Sequence, residues 1–147
     1  MTLPRTLSPS LLAAALLLLA PMAQAKPPPA SSIAVLASGP LLNLEGHEVG
    51  QVRLERQGGR LYVQVRDAGR AAGANLEVLV SASSRALRAG DHSGPGQSAV
   101  RIGSIQQGDV RYLLPAVLLP GSVRSVWVWC PSVKLPSAQA LLSRPAQ

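Results

Sequence analysis

The stretch QVRLERQGGRLYVQVRD, Gln51 to Asp67, decides the fold. Val52 and Leu54, then Leu61, Val63 and Val65, alternate with Arg53, Glu55, Tyr62, Gln64 and Arg66. A period of two puts the apolar set on one face of a strand and the polar set on the other. The link Gln57-Gly58-Gly59 between the two runs supplies residues that accept positive φ, so the segment reads as a β-hairpin. Downstream, NLEVLVS, Asn75 to Ser81, repeats the alternation with Leu76, Val78 and Val80 on one side. Leu79 on the other predicts burial of both faces near the end of that strand.

SRALRAGDHSGPGQS, Ser84 to Ser98, breaks the pattern with glycine and proline and reads as a long, mobile loop. VRIGSIQQGDVRYLLP, Val100 to Pro115, predicts two short strands around a Gly108-Asp109 turn. Ala116 to Ser122 is a connector, and VRSVWVWC, Val123 to Cys130, is an apolar strand. AQALL, from Ala138, is expected as a closing edge strand. After the N-terminal stretch no segment sustains helical spacing. The expectation is an all-β protein, a single antiparallel β-sandwich or small barrel-like domain.

The N-terminal stretch is of another kind. MTLPRTLSPSLLAAALLLLAPMAQA has one positive charge at Arg5, an apolar run from Leu11 to Ala20, and the triplet Ala23-Gln24-Ala25. That is the layout of a secretory signal peptide over residues 1–25, with cleavage after Ala25. The run falls short of the roughly 20 apolar residues of a membrane span, so an uncleaved anchor is the lesser reading. No integral membrane segment is expected in the mature chain. Arg5 stands without a second arginine, which favours export of the unfolded chain. No cysteine near Ala25 marks a lipoprotein. Residues 26–34 form a proline-led linker, 35–143 the domain and 144–147 a tail. The expected location is periplasmic or extracellular.

Of 147 residues, cleavage leaves 122, enough for one hydrophobic core. Arg5 leaves with the signal, so the net charge falls from +7 to +6. Such an excess favours anionic lipid head groups or acidic glycans as envelope partners. It does not favour nucleic acid: the charges are scattered, and few aromatic rings stand among them as stacking platforms.

SVWVWCPSV, Ser125 to Val133, holds both tryptophans and the only cysteine of a sequence without phenylalanine. A single cysteine in an oxidising compartment is buried and inert, paired with another molecule, or used chemically. On a strand Cys130 points with Val126 and Val128, and Trp127 and Trp129 point the other way. Apolar neighbours raise a thiol pKa, whereas Pro131, by ending the ladder, brings the sulfur towards solvent. The tryptophans read first as packing, with an aromatic wall for a flat ligand as the alternative. Cys130, His47 and His92 would be a copper-like set, but they lack the close spacing of such sites and no metal is expected. Without Cys-x-x-Cys-His, covalent haem is excluded. Asp91-His92-Ser93 are adjacent, and a catalytic triad is assembled from separated positions. GDHSGPGQS also lacks the Gly-Lys-Ser/Thr of a phosphate loop.

The order of four motifs resembles the DM-thirteen domain, an extracytoplasmic module often associated with DOMON domains. They are GHEVGQV (Gly46–Val52), GANLEVLVS (Gly73–Ser81), VRIGSIQQGDVRYLLP (Val100–Pro115) and SVWVWCPSVKLPSAQALL (Ser125–Leu142). Ala74 and Asn75 replace the family's Pro and Asp. The resemblance implies a redox or electron-transfer module rather than a stand-alone enzyme. It makes Cys130 the working residue, as a naked thiol or as ligand to a prosthetic group such as haem, and it matches His47 to the motif histidine as a cofactor candidate. Val133 and Ser137 stand where the family usually has phenylalanine. The redox partner is not named by the sequence. The alternative from another class is a non-enzymatic envelope-binding or structural β-module with a basic surface and an inert Cys130.

Overall fold

The computed structural model describes residues 32–68, 75–105 and 108–145. The signal-peptide reading of 1–25, most of the linker, Gly73 and Ala74 of the second motif, and the last two residues lie outside them. The described residues form β1 (Ala34–Asn43), β2 (Glu48–Gln57), β3 (Arg60–Arg66), β4 (Glu77–Ser81), β5 (Val100–Ser104), β6 (Val110–Leu113), β7 (Ser125–Cys130) and β8 (Leu135–Leu141). All eight belong to one sheet in the order β5-β4-β7-β8-β1-β2-β3-β6, with antiparallel neighbours throughout. The all-β expectation holds, and the architecture is a nearly closed barrel-like sheet.

The hairpin of Gln51 to Asp67 is β2 and β3, in continuous register from Gln51 opposite Arg66 to Gln57 opposite Arg60. Gly58 and Gly59 have φ of 55° and 78°, the positive values a two-residue hairpin turn demands at both positions. Val52, Leu54, Val63 and Val65 are buried in the barrel interior with Leu41, Val78, Val80, Val126, Val128, Ala138 and Ala140. On the outer face Arg111 of β6 reaches over β3, its guanidinium 3.9 Å from the Tyr62 ring centroid, to the buried Glu55 carboxylate of β2 at 3.1 Å.

Several expectations change. β5 and β6 do not pair with each other as a hairpin: each binds a different neighbour, and they form the two ends of the sheet order. They meet through Tyr112, whose Oη donates to the Ser104 carbonyl at 2.9 Å and whose ring lies where a Cβ on Gly103 would overlap it. Side-chain contact thus nearly closes the barrel where a ladder would have closed it fully. β8 is no edge strand, since it runs from Leu135 between β7 and β1.

β1 begins at Ala34, inside the expected linker, and supplies a strand that alternation does not reveal. A register shift between Val35 and Ala37 leaves Leu36 as an extra residue in β1 and interrupts its alternation, while the shift opposite Leu41 and Leu42 leaves Val49 of β2 as the extra residue. Pro40 is tolerated because the β1–β8 ladder covers only Leu42 and Asn43, with one bridge from Ser38 to Ser143. Pro40 falls in the gap, where no amide is needed.

Residues 82–99 also differ from the expectation. The expected mobile loop is a strap fastened to the outer face of β4, β7 and β8. Gln139, buried there opposite Trp127, accepts from the Leu87 amide at 2.6 Å and donates to the Arg85 carbonyl at 2.7 Å. Ser125 Oγ donates to the Ser83 carbonyl at 2.7 Å and Ser81 Oγ to the Pro95 carbonyl at 3.3 Å. The strap covers the tryptophans: Trp127 is fully buried with its indole N–H on Ser125 Oγ at 2.9 Å, and a Cβ on Gly94 would stand 3.1 Å from the Trp129 ring.

Candidate functional site

β7 carries Cys130 to one end of the barrel. Val126 and Val128 are interior and Cys130 packs partly against the same cluster, as alternation requires. The register shift opposite Val128 and Trp129 leaves its extra residue, Ser137, in β8, and Pro131 lacks the amide to continue the β7 ladder. Residues 131–134 form the turn into β8, with Lys134 at φ 55°. The sulfur lies at the surface in that turn, 3.2 Å from Ser132 Oγ.

The Ser132 hydroxyl, together with backbone N–H groups of Val133 and Ser132, holds the thiol below its ordinary value of 9.0 against the small opposing effect of burial. Of the two tendencies in the sequence, apolar neighbours and the strand end, the strand end prevails. Cys130 is not a buried core cysteine. Sequence reasoning missed Ser132, although a Cys-Pro-Ser turn at a strand end is the signal that finds it.

Beside Cys130 lies an open cleft of about 420 Å³, lined by Asn43, Leu44 and Glu45 of the β1–β2 turn, by Val49, and by Val133, Leu135, Pro136 and Ser137. Val133 and Ser137, the two positions where the resemblance anticipates phenylalanine, therefore both face the space beside the thiol. Without rings there the cleft is shallow, and Val133 is 61% exposed.

His47 belongs to the same β1–β2 turn but does not line the cleft. Its Nδ1 stands 3.3 Å from Glu45 Oε2, both side chains being 75% exposed, and its amide donates to Asn43 Oδ1 at 2.9 Å. The residues present do not fit haem, which needs an apolar slot enclosing most of a flat ring system and an oriented axial ligand. Among the described residues no three of His, Cys, Asp and Glu gather as a metal site.

Asp91, His92 and Ser93 do not form a triad. Asp91 accepts from the Ser93 hydroxyl and amide and pairs with Arg85 Nη1 at 2.8 Å, which binds the middle of the strap together. These hydrogen bonds from Ser93, with Arg85 beside them, hold the Asp91 carboxyl below the usual range. His92, between them in sequence, is exposed.

Fold and site together define a small antiparallel β-barrel-like domain with a single surface thiol at one end. Comparison with known protein families, with curated proteins and with solved structures finds no match. Among the described residues no helix is long and apolar enough to cross a membrane.

Proposed function

We propose that this is an exported redox module that works through the naked thiol of Cys130, by thiol–disulfide exchange with a partner. The observation that carries the reading is the placement of the sulfur at the surface of the β7–β8 turn, with Ser132 and two amides favouring the thiolate. The signal-peptide layout of residues 1–25 and the resemblance to DM-thirteen domains support it from the sequence side. In the step, the Cys130 thiolate attacks a partner disulfide R–S–S–R′, forming Cys130–S–S–R and expelling R′–S⁻. The chain has one cysteine and no internal thiol to resolve the product, so a second thiol must come from the partner. This makes the domain an accessory to another protein's redox chemistry rather than an enzyme alone.

The test is the intact mass of the protein isolated from its host's envelope without reductant. Expected is added mass that a reductant removes and that a Cys130→Ser variant never acquires. A bare mass with a free thiol, together with an unchanged cellular phenotype of Cys130→Ser, would overturn the proposal.

A further inference from the structure

The opposite end of the barrel has a different character. Arg124 precedes β7, and six residues of strand at roughly 3.3 Å each place it about 20 Å from Cys130. At that end a cleft of about 720 Å³ opens between the β6–β7 connector, the start of β1, the end of β2 and the residues after β8. Its apolar floor includes Leu36, Ala37, Leu54, Val123 and Leu142, and three arginines line it: Arg56, Arg124 and Arg144.

Arg56 continues the inward register of Val52 and Leu54, which brings its guanidinium to the barrel mouth. The backbone under the other two is held. The Arg124 amide donates to the Ser81 carbonyl and its carbonyl accepts from Leu142, while Ser143 exchanges both backbone bonds with Ser38. None of the three arginines has a carboxylate partner among the described residues, and no Asp or Glu lines the cleft. The carboxylates gather elsewhere. Glu45, Glu48, Asp67, Glu77 and Asp109 sit towards the thiol end, and Glu55 and Asp91 are taken by Arg111 and Arg85.

Beside the arginines the connector exposes large apolar side chains, Val117 at 84% and Leu119 at 68%, and Ile33 at the start of β1 is 53% exposed. The connector is built to hold them out, through a turn from Pro115 to Leu118 and a short 3₁₀ turn, Pro120–Ser122, that Ser122 closes onto the Leu119 carbonyl. Unpaired arginines beside protruding aliphatic side chains match one surface in charge and polarity together, the interface of an anionic bilayer. An acidic glycan would satisfy the arginines but offers no apolar phase for Val117 and Leu119.

We propose that this end of the barrel docks on an anionic lipid surface, with Val117 and Leu119 in the interface and Arg56, Arg124 and Arg144 on lipid phosphates. Docking this way turns the Cys130 end away from the membrane and requires nothing of the Cys130 thiol.

The experiment uses the exported chain in a Cys130→Ser background, with a polarity-sensitive dye on Val117→Cys or, at the other end, on Val133→Cys. Vesicles are phosphatidylcholine alone or mixed equally with phosphatidylglycerol. The dye at position 117 should shift to the blue only on the mixed vesicles, and the dye at 133 should not respond. Each Arg→Gln change at 56, 124 or 144 should weaken binding about five-fold, because each basic residue near an anionic surface contributes on the order of a five-fold factor. All three together should lose about a hundred-fold. Leu119→Ser, at an exposed tip where the fold is not at stake, should also weaken binding.

No response at 117, an equal response at 133, or undiminished binding by the triple variant with an unchanged melting midpoint would overturn the proposal. It also falls if position 117 ignores vesicles while laurate or soluble polyglutamate protects it, for the cleft would then take a free carboxylate or an acidic protein.

Discussion

At the scale of the residue, the chemistry of Cys130 is set by its neighbours on the C-terminal side. Pro131 ends the ladder, and the turn that results offers the sulfur a hydroxyl from Ser132 and amides from Ser132 and Val133. The rate of alkylation by iodoacetamide follows the thiolate, so its midpoint against pH should lie below the ordinary cysteine value. Ser132→Ala removes the largest contribution, and the midpoint should rise, slowing alkylation several-fold near neutral pH. An unchanged profile in Ser132→Ala would show that the hydroxyl does not stabilise the thiolate. His47 illustrates the opposite case. A motif position placed it in the site, but its ring turns to Glu45 at the exposed β1–β2 turn.

At the scale of the element, the strap of residues 82–99 explains why two large indoles are compatible with so small an interior. Alternation sends Trp127 outward from the barrel, where a fully buried side chain needs a cover, and the strap provides it. Its glycines and prolines suggested mobility because local sequence shows only what a segment cannot form. The anchor is Gln139, 52 residues from Leu87, and no local pattern reports such a pairing. Gln139→Leu should cost about 1 to 3 kcal/mol by leaving the Leu87 amide and Arg85 carbonyl unpaired. The measurement is hydrogen exchange: protection of the Leu87 amide should fall selectively, with strand amides of β2 and β3 unaffected.

At the scale of the whole molecule, closure depends on Tyr112. Its phenol crosses from β6 to the Ser104 carbonyl of β5, and burial raises its pKa above 10.0. A phenol kept neutral in the folded state binds its proton more tightly there than in the unfolded chain. Its contribution is therefore complete below the ordinary tyrosine value and is lost as pH rises above it. Denaturant titration should show stability falling above about pH 10. Tyr112→Phe should flatten that fall and lower stability near neutral pH by about 1 kcal/mol. An unaltered alkaline slope in Tyr112→Phe would place the loss elsewhere. The same closure separates the molecule into two ends, one with the thiol and most carboxylates, the other with protruding aliphatic side chains and arginines that have no carboxylate partner among the described residues.

By itself the sequence determined the β class, the β2–β3 hairpin with its Gly58-Gly59 turn, and the side of β7 on which Cys130 lies. Each follows from a period of two or a turn rule that acts over a few residues. It did not determine β1, where the extra residue Leu36 and the small residues Ala37, Ser38 and Gly39 break the alternation, nor the partners of β5 and β6, which a Gly108-Asp109 turn made look like a hairpin. Only the tertiary structure decided that the strap covers the tryptophans, that Ser132 meets the sulfur, and that three arginines far apart in sequence share one cleft. Those are contacts between distant residues, fixed by sheet order and closure, and the chain carries no local mark of them.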